Sequence, residues 1–541
     1  MWTVFSRWAG VVLLCAALGV FSVLVVKYQR RPEIFGLDKI TAASGEEIEI
    51  RGRGFDQGMD GAKLLIGSSP LSSDSILEWE DDRIVAKIPR SDGTVIIKVK
   101  TPSGISNGVV LGDESRFPRI EYGPWLPGAA YIRYAEPQNL RIGELITLHG
   151  EGFGNKRGRG QIWVNSRDTA LRLSTEEPNF NLYVEVNHIA EWTENTVRFW
   201  MPEGASSGNI YLQRSGTISN PFSVEIVEDT GEILQDREFR WSLRQKITID
   251  AVSAAPQNAL YLHIPFPQAG IGQDRAVTLD AYSGTPYSPI DTRGNLSLYR
   301  IDNLENDESI SIVRQIFVKT YLVEARVRKE TSFHPSHPEI IAGLSQDKWV
   351  KPHLFAELSS NLAADKQGSW SKSKAIYGYV INQFSFDGNS KGQSVEDYMS
   401  RDSADSFGYS LLFTSIARAA GVPARPVGGI LVSNDEARPW WWSEVWINGI
   451  GWIPIDSALG DSGIELPGIE GEPADYYFGA LEGRHIAFSR GILDSSALQP
   501  EPRLRRAEGF YTLQGAYEEP SGNLASYRSE WFVPEVTAPR R

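Results

Sequence analysis

The pattern Gly-x-Gly-Phe occurs twice, at Gly52–Phe55 and Gly150–Phe153, 98 residues apart. Each copy closes a run that alternates polar and apolar residues, "EEIEIRGRGF" and "ELITLHGEGF". The correspondence continues downstream: "AKLLI" with "GQIWV", "DRIVAKIP" with "NTVRFWMP", and "SGISNGV" with "SGTISNPF". Agreement at matching places in one order defines an internal repeat. Alternation with period two, broken at Gly, Pro, Ser and Asp, predicts short strands of an all-β sandwich. The paired glycines suit a bulged or tightly turned strand where a side chain would not fit. Residues 32–115 and 116–230 are therefore expected to be two copies of one β-sandwich.

At 541 residues the chain is too long for a single ordinary domain. With 41% hydrophobic and 23% charged residues, wholesale disorder is excluded. The formal charge of −14 repels phosphate, and no basic run exceeds "RLRR" at Arg503–Arg506, so nucleic acid is not an expected partner. Cys15 is the sole cysteine. That excludes a disulfide scaffold, a cysteine zinc site, an iron–sulfur cluster and a cysteine nucleophile in the folded part of the chain. His334 and His337 lie close in sequence, but no acidic or cysteine partners point to a metal site there. No cofactor is expected.

Trp8–Val26 holds 19 residues without a charge, flanked by Arg7 and by Lys27, Arg30 and Arg31. As a helix it measures roughly 28 Å, enough to span a bilayer core. A cleavable signal peptide would have a shorter apolar region and a small-x-small site after it, which "KYQRRPEIF" does not offer. The expectation is an uncleaved single-pass anchor within residues 1–31. The local basic residues favour a cytoplasmic C-terminal side, yet large domains translocate largely regardless of charge. The domain types that follow argue for a periplasmic or cell-surface location.

Alternating runs from "RQKITIDA" to "SISIVRQIFVKTYLVEARV" predict a further β-sandwich over residues 235–330. The character then changes. Ile376, Val380, Ile381 and Phe384 share one helical stripe, and Tyr409, Leu412, Phe413, Ile416 and Ala420 another. Asp405 or Ser406 is expected to cap the second helix, with Gly421 ending it. "PWWWSEVWINGIGWIPIDSA" reads as two strands around an Asn-Gly turn. Residues 496–541 form a mixed extension whose aromatics could dock on the preceding domain.

The repeated segments resemble IPT/TIG domains, which are immunoglobulin-like sandwiches. That resemblance implies a spacer or binding module and no catalysis. Residues 331–495 resemble the transglutaminase-like domain of the papain-like fold, carried by "IARAAGVPARPVGG", "WSEVWINGIGWIPID" and "YYFGALEGRHIAFSRG". Residues 235–330 are similar to the β domain that precedes many bacterial examples. The family implies an α+β domain with a Cys–His–Asp triad. Its Cys position falls on Ser406, its His position on Trp440 and its acid position on Asp456. Family chemistry needs a thiolate made by a neighbouring imidazole that an acid orients. Serine is the weaker acid and an indole offers one donor and no acceptor, so it cannot take a proton. Asp456 is then left to pair an indole or nearby backbone.

The expectation is a membrane-anchored, extracytoplasmic protein with a degenerate transglutaminase-like domain that binds or scaffolds a protein, peptide or polysaccharide. Trp441, Trp442 and Glu444 are candidate binding residues, with packing of the tryptophans into the emptied cleft as the plainer reading. The alternative is an enzyme acting on amide bonds with Ser406 as nucleophile, which needs a base such as His485, Glu444 or Asp456.

Overall fold

The computed structural model describes residues 31–536 apart from 39–40, 43, 59–60, 68, 90–94, 114–128, 138, 166–181, 215–216, 275, 284–286, 294–295, 393, 434–435, 470, 495–497 and 499–502. The expected membrane span, Trp8–Val26, lies outside the described residues. Among the described residues no helix is long and apolar enough to cross a membrane. The chain forms two units, Met1–Glu121 and Tyr122–Arg541.

In the first unit, strands Glu33–Leu37, Glu47–Arg53, Arg83–Lys87 and Ile76–Trp79 form one sheet in that order. A second sheet runs Thr41–Ala42, Val109–Asp113, Val95–Thr101, Lys63–Ile66 and Ser69–Pro70. Ile48, Ile50 and Ile84 of the first meet Leu64, Ile97 and Val99 of the second in a common core.

The second unit opens on the same plan. Strands Tyr131–Glu136, Leu145–Glu151, Thr196–Trp200 and Ile189–Trp192 repeat the first order, and Asn139–Leu140, Phe222–Ile226, Gly208–Arg214, Gln161–Val164 and Leu182–Tyr183 repeat the second. The shared motif has a local physical cause. A Cβ on Gly52 would stand 2.1 Å from the Glu33 carbonyl oxygen, and one on Gly150 would stand 1.9 Å from that of Tyr131. Both glycines face the partner strand at a bulge, between Ile34 and Gly36 in one copy and Ile132 and Tyr134 in the other. The buried phenylalanine that ends each motif fills the space beside them. The "SN" of each copy has a matching task. Asn107 bonds both the amide and the carbonyl of Ile34, at 2.8 and 2.9 Å, and Asn220 does the same for Ile132, at 2.7 and 3.0 Å. These side chains satisfy backbone groups beside the bulge.

Residues 235–330 do not close into a sandwich of their own. Strand Gly231–Pro265 pairs with Ile310–Val327 along its first half and with Leu296–Asp302 at its end. Tyr517–Trp531, from the C-terminal extension, pairs with it between Ile247 and His263. Together with Val277–Ser283, Tyr287–Arg293, Ala480–Leu481, Arg505–Arg506 and Glu535–Val536 these strands make one nine-stranded sheet. Backbone pairing explains the difference from the sequence reading: a 35-residue strand presents more edge than its local partners cover, and distant segments complete it.

The remaining α+β region contains helices α1 (Gly368–Gln383) and α2 (Ser406–Ala419) and strands β1 (Ala424–Ser433), β2 (Glu436–Ile447), β3 (Gly451–Ile455) and β4 (His485–Arg490). The sheet is antiparallel in the order β3-β2-β1-β4. Every α2 residue from Ser406 to Arg418 is buried, where the periodicity predicted only a stripe. Small Ser, Thr and Ala on its remaining faces let neighbouring helices and the sheet close around it. The second sandwich is joined to this region. Its core continues into Ile340, Trp446 and Trp452, Gly449 donates to the Ile142 carbonyl at 3.0 Å, and the Trp452 amide donates to Glu203 Oε1 at 2.8 Å.

Candidate functional site

Helix α2 begins on a polar residue buried against the sheet. Asp405, not Ser406, is its N-cap: its carboxylate accepts from the Gly408 amide at 3.0 Å and from the Tyr398 hydroxyl at 2.5 Å. Burial pushes the Asp405 carboxyl above its usual range. With capping assigned to Asp405, Ser406 is the first helical residue. It is 3% exposed, and its Oγ accepts from the backbone amide of Trp441 at 3.4 Å.

Asp456 ends β3 and caps the next short helix by accepting from the Leu459 amide at 2.8 Å. Its other oxygen, Oδ2, takes two donors at once: the Trp440 indole N–H at 2.7 Å and His485 Nε2 at 2.9 Å. The far ring nitrogen of His485, Nδ1, meets Glu482 Oε1 at 3.1 Å. Asp456, Glu482 and His485 are at most 5% exposed. Burial alone disfavours a charged imidazole, but the Glu482 charge and the hydrogen bonds to both carboxylates outweigh it and hold His485 at about 9. Burial likewise pushes Glu482 up, and His485 more than reverses this, leaving its carboxyl below the usual range. His485 is thus an imidazolium with both N–H groups committed to carboxylates. It has no lone pair with which to take a proton from Ser406.

The three tryptophans alternate across β2, as a strand requires. Trp440 and Trp442 lie beside the Asp456–His485 pair, with the Trp442 and His485 rings edge to face at 5.0 Å. Trp441 packs on the other side against Phe407, with ring centres 5.2 Å apart. All three are at most 9% exposed, so they present no open aromatic platform. Glu444 is buried too and bridges two cations. It accepts from Arg425 Nε at 2.7 Å and from Arg490. Arg425 reaches on to Glu339 at 3.4 Å and stacks over Trp452 at 4.1 Å. Burial pulls the Arg490 guanidinium below its ordinary value, with Glu444 acting against that. A cavity of about 10 Å³, lined by Trp442, Glu444, His485, Arg490, Gln273 and Tyr321 among others, has room for about one water molecule.

The geometry therefore brings Ser406, Trp440 and Asp456 into one buried neighbourhood and gives Glu444 to a separate ion-pair network. None of the hydrogen bonds or ion pairs described for Glu444, Asp456 or His485 reaches Ser406 Oγ. His485, named from the sequence as a candidate base, shares the acid with Trp440 instead. It lies 29 residues beyond Asp456 on the far edge strand, a separation no local pattern bridges. Arg425 and Arg490 were not singled out in the sequence; each lies one face away from an apolar neighbour in strands that read as apolar. Among the described residues, no group of three or more His, Cys, Asp or Glu is arranged to hold a metal ion.

Residues 356–457 match the family model of the transglutaminase-like superfamily, so this region is a transglutaminase-like domain. No curated protein matches the chain. Among solved structures, a proposed cysteine protease from Cytophaga hutchinsonii is 14% identical, with 57% of this chain and 94% of that one covered and a TM-score of 0.38. A surface protein from a xyloglucan utilization locus of Bacteroides uniformis is 10% identical, covering 54% of this chain and 99% of that one, with a TM-score of 0.14. A proposed protease of Parabacteroides distasonis is 8% identical over 77% of this chain and 64% of that one, with a TM-score of 0.17.

Proposed function

We propose that the chain is a membrane-anchored, extracytoplasmic binding or scaffolding protein whose transglutaminase-like domain performs no amide chemistry. The observation that carries this reading is the occupation of Asp456: its Oδ2 is shared by the Trp440 indole and an imidazolium, His485. An acid so engaged orients no base toward Ser406. The hydroxyl at the nucleophile position is 3% exposed, accepts from the Trp441 backbone amide, and is reached by none of the hydrogen bonds of Glu444, Asp456 or His485. A serine hydroxyl without a base remains protonated and unreactive. The domain then acts as a rigid, buried framework, and ligand recognition passes to the β modules. The anchor is supported by the uncharged stretch Trp8–Val26.

The test uses the detergent-solubilised full chain in amine-transfer and amide-hydrolysis assays, beside Ser406→Ala and the double variant Ser406→Cys, Trp440→His. Silence in the parent is expected. Parent activity that vanishes in Ser406→Ala would overturn the proposal and make Ser406 a nucleophile. Activity in the double variant alone would show that the scaffold is intact and only its chemistry is missing.

A further inference from the structure

Two copies of one sandwich provide an internal control: what both copies have, the fold requires, and what one copy adds needs another reason. Each has the bulge that follows Ile34 or Ile132. A bulge shifts the alternation by one, so the residue after it points the opposite way from its place in a regular strand. In the first copy that residue is Gly36, paired with Arg51; in the second it is Tyr134, paired with His149. The first copy covers this face with ion pairs, Arg51 and Arg83 to Glu49, and Arg53 to Glu33. The second places an aromatic stack there instead. Tyr134 is 49% exposed, and its ring lies 4.4 Å above His149 with only 13° between the planes.

We infer that the outward face of Tyr134 is a stacking site for a pyranose ring of a neutral polysaccharide. This rests on the reading that the β modules carry recognition. The shape selects the ligand class. Parallel rings leave one flat plate, whereas a cage of rings set at angles would suit a quaternary ammonium group. A flat sugar face carries weakly polarised C–H groups that pack on an aromatic face, while its hydroxyls seek polar partners at the rim. The rim supplies them. Glu136, 68% exposed at its side chain, lies 3.8 Å from His149 Nε2, and Glu151 pairs with Arg133 at 2.9 Å with both more than half exposed. Carboxylates accept from hydroxyls and the guanidinium donates to them. Two acids against one base also disfavour an acidic polysaccharide. His149, backed against Tyr134, holds the plate flat and limits the rotamers lost on binding.

The test is native gel electrophoresis of the detergent-solubilised full chain through gels containing laminarin, hydroxyethylcellulose, galactomannan, soluble starch or, as the acidic comparison, polygalacturonate. Retardation by at least one neutral polymer is expected. Tyr134→Ala should weaken it about tenfold, while Tyr134→Phe, which keeps the plate, should stay within about twofold. Absence of retardation in every neutral gel would overturn the inference, as would equal retardation of Tyr134→Ala or a preference for polygalacturonate. Failure here with a silent amide assay would leave the non-catalytic reading standing. Amide activity lost in Ser406→Ala would strike that reading without touching this one.

Discussion

Raising the pH from 6.5 to 9 should unlock the transglutaminase-like domain through a single residue. His485 is buried between Asp456 and Glu482 and titrates at about 9 in the folded chain, against 6.5 when free. A folded-state pKa raised in this way contributes stability that is fully present below pH 6.5 and is lost as the pH climbs through 9. The difference corresponds to about 3 kcal/mol, a large part of a domain's net stability of about 5–15 kcal/mol. Other buried groups stay out of the upper part of this window. Glu203 titrates near 7, and burial pushes the Tyr377 and Tyr477 phenols far above their ordinary value. The assay is urea unfolding followed by tryptophan fluorescence, since Trp440, Trp441, Trp442, Trp446 and Trp452 all lie in this domain. Between pH 7 and 9 the unfolding free energy should fall by roughly 2–3 kcal/mol. His485→Gln leaves two buried carboxylates without their cation. It should destabilise by about 3–5 kcal/mol at pH 7 and show no fall between pH 7 and 9. A flat parent profile, or an unchanged slope in His485→Gln, would refute the placing of charge on His485.

The seam between the second sandwich and the transglutaminase-like domain holds two buried groups whose pH dependences run in opposite directions. Burial raises Glu203 to about 7 despite Arg425 nearby, so its favourable protonated state is lost as pH rises from 4.5 through 7. Burial and the neighbouring His188 lower His337 to about 4, so its contribution is lost as pH falls from 6.5 through 4. The two slopes oppose each other, and Glu203→Gln should both stabilise the seam at pH 8 and expose a loss on acidification; calorimetric scans at pH 5 and 8 that match the parent would contradict this. Gly150→Ala drives a methyl into the Tyr131 carbonyl and should destabilise the second sandwich by about 2 kcal/mol or more. Chemical unfolding within about 0.5 kcal/mol of the parent would show that the bulge yields.

Much of this molecule was legible in order along the chain. The G-x-G-F and Ser-Asn signatures marked both sandwiches because each residue solves a local problem at one bulge, and local problems leave local patterns. The Trp-Trp-Trp run on β2 and the Asn-Gly turn after it were readable for the same reason. The sequence left the cap open between Asp405 and Ser406 because both are good capping residues, and the choice lay with Tyr398 and the Gly408 amide. The nine-stranded sheet was missed because its central strand finds partners near residues 300, 320 and 520, and strand alternation records the faces of a strand but not its neighbour.

Composition by itself determined that Cys15 is the sole cysteine, and the resemblance to the transglutaminase-like family set the expectation that its triad positions fall on Ser406, Trp440 and Asp456. Only the tertiary structure decided what Asp456 does. A carboxylate in sequence is a charge without a partner, and its partner is whichever donor the fold buries beside it. Here the fold placed an indole and an imidazolium on the same oxygen, because removing a charge from water is tolerable only when cations and N–H groups replace the solvent.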